Sequence, residues 1–211
     1  MNSNDETTKS LEEIIKEYEL KISENTSNRE EIALEYAEIL FSFISKELDG
    51  IEFKKIISEL KKLDDKYKNK EIGLIYAKSL SDYTLEDIEK KEYEDIFLSF
   101  KELDKNYNYK EIGLQYAKTL YKYTEQVEKK EYEGIFLSLK ALDKKYNYEE
   151  IGLQYAKVLY NYTFEDIEKK EYEDIFLSFK DLDEEYNYKE IGLQYAEALY
   201  KYTEQVEKKE Y

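Results

Sequence analysis

Residues 71–110 read EIGLIYAKSL SDYTLEDIEK KEYEDIFLSF KELDKNYNYK, and residues 150–189 repeat them with eight substitutions. A thirty-nine-residue relative, 111–149, lies between the two, and a more divergent copy occupies 31–70. Self-similarity at a fixed spacing of roughly 20–50 residues marks a stacked-repeat architecture, in which each unit covers the apolar face of the next. The 211 residues therefore read as one elongated repeat domain rather than as separate globules.

Each unit holds two helical patterns. Ile112, Tyr116, Leu120 and Tyr123 recur at helical spacing, and Leu114, Ala117 and Tyr121 broaden the stripe into a wide buried face. The second pattern runs Tyr93, Ile96, Phe97, Phe100, Leu103 and Tyr107, and returns as Phe53, Ile56, Ile57, Leu60, Leu63 and Tyr67. The exchanges stay apolar or aromatic, as core positions require. The pattern predicts an all-α fold, an α-solenoid of stacked antiparallel helical hairpins with about ten helices. Residues 1–9 are expected to be a disordered tail and 10–24 (SLEEIIKEYELKISE) a capping helix. Repeats then span 31–70, 71–110, 111–149 and 150–189, with a partial repeat at 190–211.

Boundaries follow from capping chemistry. Asn28, Asn108, Asn147 and Asn187 each stand three residues before a Glu, the spacing of a capping box, while Lys68 breaks the rule. Thr84 before Asp87 and Thr163 before Asp166 suggest a second helix start, unlike the Thr124-Glu125-Gln126-Val127 version. The two versions alternate, so the duplicated module is read as a pair of repeats. The last helix has no following partner in the sequence. Truncation from a longer array is the favoured expectation, and docking of that end the alternative.

Ile112-Gly113-x-x-Tyr116 recurs as Ile72-Gly73-x-x-Tyr76, Ile151-Gly152-x-x-Tyr155 and Ile191-Gly192-x-x-Tyr195, with Ile32-Ala33-x-x-Tyr36 in the oldest-looking copy. Tyr109, Tyr148 and Tyr188 precede three of these by three residues. This resembles the first helix of a tetratricopeptide repeat. The family's period is 34 rather than forty, and its repeat-ending Pro is replaced here by Tyr-Asn-Tyr. Gly inside a helix costs about 1 kcal/mol against Ala, so its recurrence implies close approach of a neighbouring helix backbone. The resemblance implies first helices that line an inner curve and a groove that takes a peptide or a protein partner. A generic hairpin repeat of the HEAT or armadillo size class is the structural alternative.

Composition narrows function. The chain has no His, Cys, Pro or Trp. Without His or Cys the usual base and nucleophile near neutral pH are missing, and identical repeats offer no single asymmetric constellation; an enzyme is not expected, nor a cofactor or metal. Asp104-x-Asn106-x-Asn108 opens like a calcium loop, but Tyr109 stands where that loop needs Gly. Net charge is −17, which argues against direct binding to nucleic-acid phosphates. No run approaches a membrane span, and the acidic start lacks the basic residues of a signal peptide, so a cytoplasmic protein is expected.

The site candidates are polar residues on the first helices: Gln115, Lys118, Gln154, Lys157 and Gln194, with Lys78 in the same row and Glu38 and Glu197 at its ends. Such a lysine ladder suits an acidic peptide, although local Glu–Lys pairing on a helix surface explains it equally. The leading expectation is a protein-interaction scaffold. An acidic inhibitor occupying a basic groove, and self-assembly through the C-terminal helix, are the alternatives.

Overall fold

The computed structural model describes residues 9–25, 27–44, 48–86, 88–165 and 167–209, with 205–209 as backbone only. The described residues form ten α-helices and no strands: α1 (Leu11–Glu24), α2 (Arg29–Ile44), α3 (Gly50–Tyr67), α4 (Lys70–Tyr83), α5 (Lys90–Tyr107), α6 (Lys110–Tyr123), α7 (Tyr132–Tyr146), α8 (Glu149–Tyr162), α9 (Lys169–Tyr186) and α10 (Lys189–Lys209). The chain divides into two compact units: α1–α4 with the last turn of α5, and the rest of α5 with α6–α10. The expected tail at 1–9 lies almost wholly outside the described residues, as do Asp87 and Asp166 of the proposed second starts.

Each unit is built from hairpins in which a first-type helix packs on the next first-type helix. In the first unit α2 packs on α4, with α1 and α3 against them. In the second, α6 packs on α8 and α8 on α10, with α7 and α9 against that layer. The sequence stripes fill the interfaces: Ile112, Ala117 and Ile151 are fully buried, and Tyr116, Leu120 and Tyr123 nearly so. A ring trio recurs three times in the second unit. Tyr93 lies 4.8 Å from Tyr123, Tyr132 4.9 Å from Tyr162, and Tyr172 4.9 Å from Tyr202. Phe97, Phe136 and Phe176 each meet the same tyrosine edge-on. Such pairs contribute about 0.5–1.5 kcal/mol beyond their buried area.

The helix ends differ from the capping reading. Asn108, Asn147 and Asn187 do not start the following helix; they end the preceding one in the left-handed region, with φ of 46°, 43° and 46°. Their N–H groups bond to the carbonyls of Asp104, Asp143 and Asp183. Only two residues join a second-type helix to the next first-type helix, and a reversal that short needs a left-handed residue, which Asn tolerates well. Tyr109 and Tyr148 then occupy the N-cap positions without a side-chain cap. At Lys68 the same left-handed turn is held by a residue ill suited to it, and Asn69 caps α4 through bonds from the Glu71 and Ile72 amides. Asn28 serves α2 through its backbone carbonyl, which accepts from Ile32 at 3.0 Å. Thr84 and Thr163 are likewise helix ends, not starts: buried C-caps whose hydroxyls donate to Ser81 and Tyr160 carbonyls at 2.7 Å. The second-type helices start later, at Lys90 and Lys169, where Glu92 and Glu171 accept from the Glu89 and Glu168 amides.

The recurrent glycines are explained by a ring rather than by a helix backbone. A Cβ on Gly113 would lie 2.5 Å from the Tyr146 ring, and one on Gly152 2.5 Å from the Tyr186 ring; Gly73 meets Tyr107 in the same way. Each tyrosine stands in the last turn of a second-type helix. Its hydroxyl passes over the glycine and donates to a carboxylate in the preceding second-type helix: Tyr107 to Asp64, Tyr146 to Asp104, and Tyr186 to Asp143 at 2.7 Å. Burial pushes all three hydroxyls up, and the neighbouring carboxylates push the same way. Burial also raises the Asp64 carboxyl, and it lifts Asp143 to about 6 against the opposing hydrogen bond from Tyr186. One side chain thus ties three consecutive helices. Tyr107 and Asp64 both lie in the first unit.

Three outcomes are expected. Gly152→Ala drives a methyl into the Tyr186 ring and lowers stability by about 1–2 kcal/mol despite its helix propensity. Gly192→Ala, which meets only Asp183 Oδ1 at 3.2 Å, is neutral or stabilising by up to about 1 kcal/mol, and urea denaturation compares the two. Lys68→Asn relieves the left-handed position and gains about 0.5–1 kcal/mol in the same assay. Because the folded-state value of Asp143 lies above the ordinary one, its contribution is complete below about pH 4 and is lost as pH rises through about 6. Asp143→Asn is neutral throughout, so the parent chain gains thermal stability relative to it between pH 7 and pH 4.

Candidate functional site

The predicted ladder does not stand as a uniform exposed row. Lys78 is exposed on α4 in the first unit, and Lys118 is exposed on α6 in the second. Gln115 and Gln194 are half-buried, and Gln154 is buried at 8% exposure. Lys157 is half-buried, its ammonium 5.6 Å from the centre of the Tyr121 ring. The reason is packing: α8 is covered on several sides by α6, α7, α9 and α10, so its buried face is wider than one stripe and takes in Gln154 and Val158. In the second unit α6 and α8 carry Lys118 and Lys157 at equivalent positions, and Glu197 follows on α10. Tyr121 and Tyr160 are half-buried, and Tyr160 meets Phe164 edge-on at 5.1 Å.

A different feature of the second unit is a concavity on its second-type helices. Whereas α6, α8 and α10 pack directly on one another, α7 and α9 diverge and leave a furrow of about 800 Å³ between them, within the range of ligand pockets. Its floor is Tyr155, Leu159 and Tyr162 of α8; Phe136 and Leu137 of α7 form one wall, and Ile175 of α9 part of the other. Lys129, Lys130 and Lys140 alternate around the rim with Glu128, Glu133, Glu171 and Asp174. A short bridge crosses it: Lys129 pairs with Glu171 at 3.0 Å, and the Tyr162 hydroxyl donates to the same carboxylate at 2.6 Å. Burial raises Glu171, but bonds from the Glu168 amide, Tyr162 and Lys129 outweigh it and hold the carboxyl below its usual value. Burial pushes the Tyr155 and Tyr162 hydroxyls up. These shifts lead away from neutrality in both directions.

The furrow sits where the repeat departs from its own pattern. Thr124 precedes Tyr132 by eight residues, whereas Thr84 and Thr163 precede Tyr93 and Tyr172 by nine. The shorter link tightens into a 3₁₀ turn, Lys129–Glu131, before α7 begins. Half-buried Val127 stands where the other links bury Ile88 and Ile167. Leu139 replaces Phe100 and Phe179, so the stacked ring pairs Phe100–Tyr116 and Phe179–Tyr195 have no counterpart at Tyr155. A one-residue deletion and one lost aromatic were thus readable signals of this place. Leu137, 64% exposed, stands on the lip, and Leu98 and Leu177 are exposed at the same position of α5 and α9.

Comparison with family models, with curated proteins and with solved structures finds no match for the chain. The helical-hairpin repeat therefore rests on the architecture itself. Among the described residues no helix is long and apolar enough to cross a membrane.

Proposed function

We propose that the chain is a tetratricopeptide-like interaction scaffold that holds a peptide or protein segment, and that the furrow between α7 and α9 is its main contact. The supporting observation is an apolar aromatic floor of ligand-binding size, rimmed by charges of both signs, on a protein of net charge −17. A suitable partner places a bulky apolar side chain over Tyr155 and Leu159 and basic groups toward Glu133 and Asp174. The lysine face formed by Lys118 and Lys157 is the secondary candidate. It is weakened by the burial of Gln154 and by the stacking of Lys157 on Tyr121. The role is binding rather than catalysis, and its setting is the cytoplasm. The acidic-inhibitor reading draws on the net charge alone, and it requires an affinity that falls steeply with salt.

Capture from a host lysate followed by variants separates these surfaces. Leu137→Glu, at an exposed position, is expected to cut retention of the captured partner at least tenfold, while Lys118→Glu with Lys157→Glu changes it less than twofold. Equal retention by both variants would remove the furrow and the ladder together.

A further inference from the structure

We infer that the outer face of α5, α7 and α9 pairs two copies of this chain face to face, each helix lying antiparallel on its own counterpart. The inference goes beyond the peptide reading and does not rest on it. The residues concerned all belong to the second unit. Hydrogen bonds set the three helices side by side: Lys145 of α7 donates to Asp104 of α5 at 2.7 Å, and Tyr186 of α9 to Asp143 of α7 at 2.7 Å. Each helix carries an exposed leucine at the same position, and Leu98, Leu137 and Leu177 are 64%, 64% and 61% exposed. Four residues before the leucine stands an exposed glutamate, Glu94, Glu133 or Glu173. Three residues after it stands an exposed lysine, Lys101, Lys140 or Lys180. Glutamate and lysine are thus about 10 Å apart along the helix, too far to pair with each other. Among the described residues the three glutamates, Lys101 and Lys140 make no hydrogen bond or ion pair, and Lys180 lies 3.7 Å from Glu184.

Across the helices these residues form an acidic, an apolar and a basic row. A two-fold axis along the apolar row turns the face onto itself. It lays leucine on leucine and each acidic row on the basic row of the second copy, with Glu133 against Lys140. An isologous contact requires this self-complementarity, whereas an unrelated partner has no use for a pattern that matches its own reverse. The middle helix fits the same axis. Where α5 carries Asp95 and Glu102, and α9 carries Asp174 and Asp181, α7 has Gly134 and Ala141. The axis would set those acids facing each other, and α7 omits them. Its own fold does not call for the glycine: a Cβ on Gly134 would meet nothing within 4 Å, and Gly costs a helix about 1 kcal/mol against Ala. The hairpin does not call for the pattern either, since α3 has Lys54, Ser58 and Lys61 at the aligned positions. The net charge of −17 opposes association at long range, but physiological salt screens such repulsion beyond about 8 Å.

Sedimentation equilibrium of the full chain alone, over about a hundredfold range of concentration, reads the pairing. A mass that rises from monomer to dimer is expected. Leu98→Glu with Leu177→Glu, which leaves the lining of the furrow intact, should weaken association by about tenfold or more, because each buries a charge against its own copy. Reversing the acidic row by Glu94→Lys, Glu133→Lys and Glu173→Lys should leave a monomer. Reversing the basic row by Lys101→Glu, Lys140→Glu and Lys180→Glu should do the same. An equimolar mixture of the two reversed chains should dimerise, since a wholly basic face then meets a wholly acidic one. Circular dichroism checks that each variant keeps its helix content. A parent chain that stays monomeric throughout overturns the proposal. So does a dimer that either reversal leaves intact, because self-association then lies elsewhere, and so does a mixture that stays monomeric.

Discussion

The rest of the structure depends on a tyrosine ring laid on a glycine. In α4, α6 and α8 the missing side chain lets a ring from the following second-type helix lie against the helix surface. The hydroxyl then reaches a carboxylate that belongs to the hairpin before. The glycine costs about 1 kcal/mol of helix propensity, whereas a hydrogen bond to a charged acceptor contributes about 1.5–3 kcal/mol in addition to the buried ring. In a stacked array stability is a sum of unit and nearest-neighbour contributions, and this contact is the neighbour contribution in its most concentrated form. In the first copy Ala33 stands in the glycine position, and among the described residues the buried Tyr67 hydroxyl has no hydrogen-bond partner.

Much of the fold was legible because helical spacing is robust. The stripes through Ile112 and Tyr116, and through Tyr93 and Phe100, are buried as their periodicity requires. What periodicity cannot carry is the identity of a neighbour or the last residue of an element. Gly113 announced a close approach, yet a ring and a backbone leave the same mark in sequence. Asn108 was misread because Asn serves both a helix start and a left-handed helix end, and only the two-residue length of the link decides between them. Thr84 failed for a similar reason, since its hydroxyl satisfies a carbonyl behind it rather than an amide ahead. Of the lysine row, Lys78 and Lys118 are exposed and Lys157 is half-buried. Gln154 is buried because α8 is enclosed on several sides, a fact of tertiary packing that its own sequence does not state.

The furrow shows how a repeat acquires a distinct place. Three second-type helices of the second unit share nearly the same sequence, yet α7 alone has a shortened approach, a 3₁₀ entry and Leu139 in place of phenylalanine. None of these changes introduces a reactive group. Together they alter the space above Tyr155, so individuality arises by subtraction from a common pattern rather than by addition to it.

The glycine, tyrosine and aspartate sets are chemically interchangeable: nothing in Gly113 distinguishes Tyr146 from Tyr186. Correct partnering is imposed by the tether. A link of two residues keeps each glycine beside the carboxylate of the helix before it, and the loop to the following second-type helix brings one tyrosine to that pair, so a high local concentration supplies the selectivity that the contact lacks. Lengthening that link, with every contact residue left in place, would free near-identical segments to exchange partners, and register would become a matter of chance.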